Sequence, residues 1–311
     1  MKYKVVILEP IHKDGVELLK KYCDVIECRE GVSREELKNM IQDADIIISR
    51  GFIKIDAEII GSARKAKAIV VHGVGIDHID LKAANEAGIK VVNTPEALTD
   101  TVAEFTIGTL IALLRKIKQA DEAVRRGKWN RKYTDLVGVD LKGKNVGILG
   151  LGRIGLAVAK RLKPFDVNLY YYDKIRKYDV EENLGIRYLD FKELVSTSDI
   201  ILIHLPLTEE TYHIISKEEF ELMKNGVYIV NMGRGALIDE AELIKQIETG
   251  KVAGAALDVF EREPLPPESQ LTKYENVLLT PHLAASSIEA LKRLSMDVAK
   301  KTLEILGIPI S

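Results

Sequence analysis

The chain alternates short, fully apolar runs with longer segments whose apolar residues recur every three or four positions. Apolar runs without alternation are typical of parallel strands buried on both faces, and the periodic segments between them indicate amphipathic helices. The pattern therefore predicts an α/β fold with parallel sheets. In the first part of the chain the predicted strands are 4–8, 45–49, 68–71 and 89–92, with helices at 14–22 and 33–41. A second series of predicted strands covers 145–149, 168–172, 200–204, 227–231, 253–258 and 276–280.

Two predicted helices carry a start signal in the sequence. Ser33 is followed three residues later by Glu36, and Thr101 by Glu104, which is the spacing of a capping box. The second of these helices, beginning "TDTVAEF", has apolar residues on nearly every side and must therefore be covered on every side. Two interpretations stay open for it: a core helix of a single subunit, or an element at a domain hinge and dimer interface.

The glycine-rich stretch "LGLGRIG" (149–155) predicts a dinucleotide site. It joins the strand 145–149 to a helix pattern, where Gly150 would make a tight turn and Gly152 would let a pyrophosphate approach the helix N-terminus. Gly155 would permit close packing of the helix on the strand. Asp173 follows the next strand, where its carboxylate would accept hydrogen bonds from the adenosine ribose and repel a 2′-phosphate. The motif therefore predicts NAD as the cofactor.

Three cations directly follow Asp173 and leave a second interpretation of cofactor choice open. A cation near the ribose can pair with a 2′-phosphate, so NADP would also be accepted if one of them faced the ribose. These residues are Lys174, Arg176 and Lys177.

The composition narrows the class of protein. With 311 residues, 46% hydrophobic and 30% charged, the chain is long enough for two globular domains. A net charge of −2 provides no basic field, so we expect no nucleic-acid partner. The apolar stretch 106–114 is too short to span a membrane and no signal peptide precedes the first strand, so we expect a cytoplasmic protein without a membrane partner. Cys23 and Cys28 fit no zinc pattern, and we expect free thiols and no metal.

Polar residues follow three strands of the second series, at the edge where open α/β sheets bind ligands. They are Arg234 in "NMGRGALID", Glu263 in "DVFEREPLPP" and His282 in "LLTPHLAAS". Hydride transfer to a 2-keto acid needs a cation for the carboxylate, an acid for the developing alkoxide and a group that tunes this acid. An arginine fork matches a carboxylate, and histidine titrates near neutrality. Each residue also has a structural alternative, as a solvated loop charge or a histidine that only stabilises the fold.

Five motifs in order resemble the D-isomer-specific 2-hydroxyacid dehydrogenases: "NVGILGLGRIG", "HLPLTEET", "NMGRGALID", "AGAALDVFEREPLP" and "NVLLTPHLAAS". The resemblance implies two Rossmann-like, doubly wound parallel-sheet domains, with the cofactor domain inserted into the substrate domain. The substrate domain would comprise 1–97 and 286–311, and the NAD-binding domain 98–285. The apolar helix after Thr101 would be the hinge and dimer element, so the resemblance also implies a homodimer.

The resemblance also implies roles for single residues. Arg234 would bind the substrate carboxylate and carbonyl, His282 would be the acid–base, and Glu263 would stabilise its imidazolium. The backbone N–H groups of Val74 and Gly75, in "HGVGIDHID", would hold the substrate carboxylate. The cofactor contacts that it implies, besides Gly150, Gly152, Gly155 and Asp173, are Val74, Val102, Arg153, Ile154, His204, Leu205, Pro206, Thr211, Met232, Gly233, Arg234, Asp258, His282 and Ala284, with Asp258 at the nicotinamide carboxamide.

Within the family, "GKWNRK" (127–132) and "TVAE" (101–104) resemble the short-form D-3-phosphoglycerate dehydrogenases. This implies oxidation of D-3-phosphoglycerate to 3-phosphohydroxypyruvate, a step of serine biosynthesis. Arg50, with Lys54 close behind, would supply the cation for the substrate phosphate, and Arg131 and Lys132 would add charge.

Two alternatives to this substrate remain. Val71 stands where many phosphoglycerate dehydrogenases have an arginine, and "GVGIDH" resembles the reductases, so the first alternative is a glyoxylate or hydroxypyruvate reductase. The second belongs to another class, an NAD-sensing binding protein or corepressor that needs no turnover.

Overall fold

A computed structural model of the chain describes residues 2–309. It divides into two compact units. Residues Met1–Leu98 and Ser286–Ser311 form the flanking unit, and Thr99–Ala285 form the inserted unit. Each unit has its own parallel sheet, which confirms the α/β fold class.

The flanking unit is built on a five-stranded sheet in the order β2-β1-β3-β4-β5, with every pairing parallel. Its central strands are buried because helices cover both faces, as their unbroken apolar runs predict. The strands are β1 Lys4–Ile7, β2 Asp24–Glu27, β3 Ile46–Ser49, β4 Ala68–Val71 and β5 Lys90–Asn93. The helices along this part of the chain are α1 Lys13–Tyr22, α2 Arg34–Ile41, α3 Ala57–Ser62 and α4 Leu81–Glu86.

The edge strand β2 is absent from the sequence-based prediction. Its sequence "DVIE" has only two apolar residues between two acids, which is too short an apolar run to predict a strand. In the structure the two acids are exposed and the two apolar residues are half-buried. The strand is defined by its partner instead: Val25 lies opposite Val5 of β1.

The inserted unit is built on a seven-stranded sheet in the order β12-β11-β10-β9-β6-β7-β8, again parallel throughout. Its strands are β6 Asn145–Leu149, β7 Asn168–Tyr172, β8 Arg187–Tyr188, β9 Ile200–Ile203, β10 Val227–Asn231, β11 Val252–Leu257 and β12 Val277–Leu279. Its helices are α5 Thr99–Leu114, α6 Ile117–Arg125, α7 Arg153–Leu162, α8 Tyr178–Leu184, α9 Phe191–Thr197, α10 Lys217–Leu222 and α11 Glu240–Glu248. Short 3₁₀ turns cover Trp129–Tyr133, Lys163–Phe165, Gly235–Leu237 and Gln270–Lys273.

The C-terminal helix α12, Ile288–Ile305, returns to the flanking unit and packs on α1. Contact is close because Gly15 of α1 has no side chain: a Cβ there would lie 2.1 Å from Ser295 Oγ. The same hydroxyl donates a hydrogen bond to the carbonyl of His12, 2.7 Å away. Helix α12 is thereby fixed to the start of α1.

One of the two predicted capping boxes is confirmed. Ser33 and Glu36 form a reciprocal capping box at the start of α2. The second prediction is wrong: α5 begins at Thr99, so Thr101 lies inside the first turn. Glu104 instead lies 3.5 Å from Arg161 of α7, a partner from a distant part of the chain that local spacing does not reveal.

Helix α5 also ends earlier than its apolar pattern predicts, at Leu114 although the pattern continues to Ile117. Lys116 has a left-handed backbone with φ of 50°, which separates α5 from α6. The carbonyl of Leu114 accepts a hydrogen bond from Val139 N, 2.9 Å away. The returning chain at 138–139 thus ends the helix by taking a carbonyl that a further turn would need.

Most of α5 is buried inside its own unit, against α7 and strands β10–β12. Its buried residues lie on several sides of the helix: Val102, Ala103, Thr106, Thr109, Leu110, Leu113 and Leu114. This burial agrees with the core interpretation, while the hinge and dimer interpretation stays a prediction. Within residues 2–309, no helix has the length and hydropathy needed to cross a membrane.

Candidate active site

The strand order of the inserted sheet defines a ligand crevice. Sequence order reverses between β6 and β9, and ligands of open α/β sheets bind beyond the carboxyl ends of the strands at such a point. Gly150 follows β6 and His204 follows β9. They touch so closely that a Cβ on Gly150 would lie 2.8 Å from the carbonyl oxygen of His204.

The three glycines after β6 differ in what surrounds them. Gly150 has φ of 91°, a conformation that glycine adopts without strain. A Cβ on Gly155 would lie 2.1 Å from the carbonyl oxygen of Gly150, so only glycine lets α7 pack this closely. Gly152 is the N-cap of α7, and a Cβ there would meet no atom of the described chain within 4 Å. The turn therefore combines a helix N-terminus with open space in front of it, which fits a pyrophosphate.

Asp173 is fixed directly against this turn. One carboxylate oxygen accepts the backbone N–H of Leu151 at 2.8 Å, and the other accepts that of Ile175 at 3.3 Å. Because these bonds hold the carboxylate at the carboxyl end of β7, it lies where the ribose of a dinucleotide is expected. The glycine turn and Asp173 together fit NAD.

Each of the three cations after Asp173 already has a partner in the structure. Lys174 pairs with Glu210 at 2.8 Å, and Arg176 pairs with Glu181 at 2.8 Å. Lys177 Nζ donates to the carbonyl oxygen of Leu151. The bonds of Arg176 and Lys177 count against the interpretation in which either of them receives a 2′-phosphate, whereas both side chains of the Lys174–Glu210 pair are exposed.

The segment after β9 lies beside the glycine turn. Thr211 Oγ1 accepts the N–H of Thr208 at 2.8 Å and donates to the carbonyl of Pro206 at 2.7 Å, which closes the turn. Within the described part of the chain, neither ring nitrogen of His204 has a hydrogen-bond partner, and neither is accessible. This burial lowers the pKa of His204 to about 4, so the ring is neutral at pH 7.

Arg234 follows β10 in a turn that Asn231 holds from both sides. The Asn231 side chain accepts the N–H of Gly233 at 3.0 Å and donates to the carbonyl of Arg234 at 2.9 Å. Arg234 Nη1 donates to the carbonyl of Gly233 at 2.9 Å. A Cβ on Gly235 would lie 1.8 Å from the carbonyl carbon of Phe260, so this glycine brings the turn against the segment that leads to Glu263.

Glu263 and His282 form a hydrogen-bonded pair. Glu263 Oε2 lies 2.7 Å from His282 Nδ1, and Oε1 accepts the N–H of Phe260 at 3.0 Å. Burial raises the pKa of Glu263, but the hydrogen bond and charge of His282 outweigh it, so the pKa lies below its ordinary value. The His282 backbone is left-handed with φ of 50°, and its N–H donates to the carbonyl of Asp258 at 2.8 Å. The structure thus brings the carboxylate and the imidazole together, while their acid–base role stays a prediction.

Asp258 has a role that the sequence does not reveal. It is buried, and its oxygens accept hydrogen bonds from Thr280 Oγ1 at 2.6 Å, Leu283 N at 2.9 Å and Ala284 N at 2.8 Å. These contacts fix the loop on which His282 lies. Its contact with the nicotinamide stays a prediction.

The other predicted cofactor residues of the inserted unit differ in exposure. Arg153 and Pro206 are exposed, and Ile154 is half-buried in the first turn of α7. Those that are buried are Val102, Leu205, Met232 and Ala284.

In the flanking unit, the predicted carboxylate-binding loop follows β4. Asn93 Nδ2 donates to the carbonyl of Val74 at 2.7 Å, and Thr94 Oγ1 accepts the N–H of Gly73 at 3.0 Å. The N–H groups of Val74 and Gly75 donate to no atom among residues 2–309. A rigid loop with two such donors suits a carboxylate.

Arg50 directly follows β3 in the same unit and is half-buried. Its Nη1 donates to the carbonyl of Pro10 at 2.7 Å. Burial lowers the pKa of Arg50, and the nearby Glu9 carboxylate opposes this effect. Glu9, which the sequence analysis missed, is buried and accepts the backbone N–H groups of Arg50, Phe52 and Ile53 at 2.8–3.0 Å. It thereby fixes the start of the loop that carries Arg50.

His72, beside the carboxylate-binding loop, is a further group that the sequence did not mark as important. It is buried, and its Nε2 has no partner within residues 2–309. Burial and the charge of Arg50 lower its pKa to about 4. His72 is therefore neutral at pH 7.

Comparison with known proteins agrees with this geometry. The family described as "D-isomer specific 2-hydroxyacid dehydrogenase, NAD binding domain" matches residues 107–284. The chain is 45% identical to a glyoxylate reductase of Thermofilum pendens, over 97% of this chain and 91% of that protein. It is 42% identical to a D-3-phosphoglycerate dehydrogenase of Archaeoglobus fulgidus, over 99% of this chain but 58% of that protein. A crystal structure of a glyoxylate reductase from Paecilomyes thermophila superposes with a TM-score of 0.89 at 33% identity, covering 100% of this chain and 98% of that one.

The chain belongs to the D-isomer-specific 2-hydroxyacid dehydrogenase family. It is an NAD-dependent oxidoreductase that acts on a small 2-hydroxy or 2-keto acid.

Proposed function

We propose that Arg234, Glu263 and His282 carry the catalysis of this dehydrogenase. The observation that supports this most directly is the 2.7 Å contact between Glu263 Oε2 and His282 Nδ1. A carboxylate at Nδ1 holds a proton there, so Nε2 is the ring atom that exchanges a proton with the substrate oxygen.

NAD, when bound, supplies the redox chemistry by accepting a hydride from C2 of the hydroxy acid and returning it in the reverse reaction. In reduction, the protonated ring of His282 gives its Nε2 proton to the carbonyl oxygen as that oxygen gains electrons. Glu263 balances the positive charge of the ring before this transfer. Arg234 binds the substrate carboxylate through two parallel N–H groups.

The two units have separate roles in this proposal. The flanking unit is the substrate domain, with boundaries 1–97 and 286–311, and Val74 and Gly75 bind the carboxylate through their backbone N–H groups. The inserted unit, 98–285, binds NAD at the glycine turn and Asp173. The support for the first role is the pair of donors without an acceptor among the described residues.

The substrate that this function takes is D-3-phosphoglycerate, and Arg50 binds its phosphate. A half-buried guanidinium is stabilised by an anion, and a phosphate supplies one with matching geometry. The 42% identity to a D-3-phosphoglycerate dehydrogenase supports the same assignment.

A second candidate function is the reduction of glyoxylate or hydroxypyruvate. It is favoured by the ion pairs that Arg131 forms within the chain. This arginine was expected to add charge for the phosphate, yet it pairs with Asp135 at 2.9 Å and Glu275 at 3.0 Å. Its charge is thereby offset by two carboxylates. The 45% identity to a glyoxylate reductase supports this candidate as well.

One kinetic comparison separates the two candidates. We expect the wild-type protein to reduce 3-phosphohydroxypyruvate with a higher kcat/KM than hydroxypyruvate or glyoxylate. Arg50→Ala should lower this preference by about tenfold, which is the effect of losing roughly 1.4 kcal/mol of charge-assisted bonding. Higher wild-type kcat/KM for glyoxylate would assign the reductase function instead, and an unchanged preference in Arg50→Ala would show that Arg50 does not bind the phosphate.

The proposed assembly is a homodimer formed through an apolar surface on the inserted unit. Five large apolar side chains on α6 and the segment that follows it are more than half exposed. Exposed large apolar side chains concentrated in one segment are typical of a protein interface, and a second copy of the chain is the proposed occupant. Light scattering should give twice the 34.7 kDa chain mass. The residues are Ile117, Val124, Trp129, Tyr133 and Val137.

The proposed location is the cytoplasm. Cys23 and Cys28 are both buried as free thiols, and burial raises the pKa of each. Unpaired buried thiols are typical of proteins kept in a reducing compartment.

A further inference from the structure

Arg176 is held by a two-bond ion pair close to the proposed ribose site. Its Nε donates to Glu181 Oε1 and its Nη2 to Glu181 Oε2, both at 2.8 Å. The guanidinium also lies over two aromatic rings, 4.7 Å from the ring centre of Tyr178 and 5.2 Å from that of Tyr188. Arg176 follows Asp173 by three residues, and of the three cations after Asp173 it is the one whose guanidinium can bind a phosphate through two parallel bonds.

Glu181 is itself fixed to the sheet. Its side chain is only 17% exposed, and Oε1 also accepts a hydrogen bond from Tyr171 Oη at 2.9 Å. Tyr171 is fully buried in β7, and its hydroxyl accepts the N–H of Lys177 at 2.7 Å. The carboxylate that holds Arg176 is therefore anchored to the strand that ends at Asp173.

A neighbouring ion pair lacks this anchoring. Lys174 and Glu210 also lie 2.8 Å apart, but their side chains are 79% and 74% exposed. Solvent competes for both groups, so this pair holds its lysine weakly. Compared with Lys174, Arg176 is therefore held in place more firmly by its carboxylate partner.

We propose that Glu181 is a specificity-determining residue that excludes NADP by holding Arg176 away from a 2′-phosphate. The proposal rests on the cofactor site at the glycine turn and Asp173. A 2′-phosphate placed there meets the carboxylate of Asp173 and gains no arginine in compensation. Cofactor choice is thus set by one acid that contacts the ribose and a second acid that neutralises the guanidinium of Arg176.

The test compares two adenosine nucleotides that differ only in the 2′-phosphate, adenosine 2′,5′-bisphosphate and 5′-AMP. Their dissociation constants are measured by titration calorimetry on the full-length wild type, Glu181→Gln and Glu181→Ala. We expect Glu181→Ala to bind the bisphosphate about fivefold more tightly, the effect of one exposed charge pair, while 5′-AMP binding stays within about twofold. Glu181→Gln, which keeps hydrogen-bonding capacity for Tyr171 and Arg176, should give a smaller gain in the same direction. The ratio of kcat/KM for NADPH to that for NADH should rise in parallel.

Two further variants establish that the gain comes through Arg176. Adding Arg176→Ala to Glu181→Ala should remove the gain, because no guanidinium is then present to bind the phosphate. Glu210→Ala, the matched control, removes an equally charged but exposed partner and should leave the preference between the two nucleotides unchanged. Thermal unfolding of each variant confirms that the compared proteins are folded.

The outcomes separate this inference from the proposed cofactor site. If both Glu181 variants bind 5′-AMP normally without gaining affinity for the bisphosphate, the role of Glu181 is refuted and the cofactor site stands. A gain that persists without Arg176, or that Glu210→Ala reproduces, also overturns it. If wild type binds neither 5′-AMP nor NADH, the cofactor site itself is wrong.

Discussion

Glu263 Oε2 lies 2.7 Å from His282 Nδ1, although 19 residues separate them in the chain. Each is placed by a different strand: Glu263 follows β11, and His282 follows β12 on a loop fixed by Asp258. Because neighbouring parallel strands bring their carboxyl ends to the same edge, the pair meets where the sheet binds ligands. The contact between Glu263 and His282 is therefore a product of sheet topology.

Removing the charge of Glu263 should change the pH dependence of reduction. In Glu263→Gln the imidazolium of His282 loses its carboxylate partner and should be lost at lower pH than in the wild type. Since reduction uses the protonated ring, the alkaline limb of the kcat/KM profile should move to the acid side, and kcat at pH 8 should fall. The profile is measured with NADH and the best keto acid. An unchanged limb would remove Glu263 from the mechanism.

Removing the imidazole should abolish proton transfer without abolishing cofactor binding. We expect His282→Ala to lose about 10²–10⁴-fold in kcat. NADH titration, followed by nicotinamide fluorescence, should give a dissociation constant close to that of the wild type, because the glycine turn and Asp173 are untouched. Retention of more than a tenth of the wild-type kcat would contradict the assignment of His282.

Arg234 should not be replaceable by lysine. A lysine keeps the charge but not the two-bond fork, so Arg234→Lys should lose at least about tenfold in kcat/KM for the keto acid. The loss should be concentrated in kcat/KM for the acid substrate, with the KM for NADH little changed. Equal kcat/KM in the variant and the wild type would show that the fork is not used.

Cofactor preference follows from the position of Asp173. Its carboxylate repels a 2′-phosphate, so NADH should be used at least about tenfold better than NADPH, which corresponds to about 1.4 kcal/mol. Asp173→Ser should reduce that preference, with the larger change in the NADH arm because the ribose hydroxyls lose their acceptor. Equal kcat/KM with the two cofactors in the wild type would be the contrary result.

The sequence predicts features that depend on residues close together in the chain, and it does not predict features that depend on contacts between distant segments. The glycine turn was predictable because Gly150, Gly152 and Gly155 act within one strand–turn–helix unit. The early end of α5 was not, since its Leu114 carbonyl is taken by Val139, 25 positions further along the chain. Contacts between distant segments leave no periodic signal.

The same distinction applies within the site. Arg234, Glu263 and His282 could be proposed as site residues because each follows an apolar strand at the edge where open α/β sheets bind ligands. The anchoring of Arg176 by Glu181 depends on Tyr171, whose hydroxyl is brought to Glu181 by the fold. In the sequence this acid is one of several charges on a short helix.

Stability should fall in mild acid because of the buried histidine His72. Its pKa is lowered from 6.5 to about 4 in the folded protein, mainly by burial. Between these values the unfolded chain binds a proton that the folded chain does not, so the free energy of unfolding decreases as pH falls from about 7 to 4. From pH 7 to pH 5 the free energy of unfolding should fall by about 2 kcal/mol because of this residue.

The variant His72→Phe has no side chain that binds a proton at this position. Its free energy of unfolding should therefore fall less between pH 7 and pH 5 than that of the wild type, by about 2 kcal/mol. Urea unfolding of both proteins at pH 7 and pH 5 measures it, and an equal loss in both would mean that His72 is not neutral in the folded state.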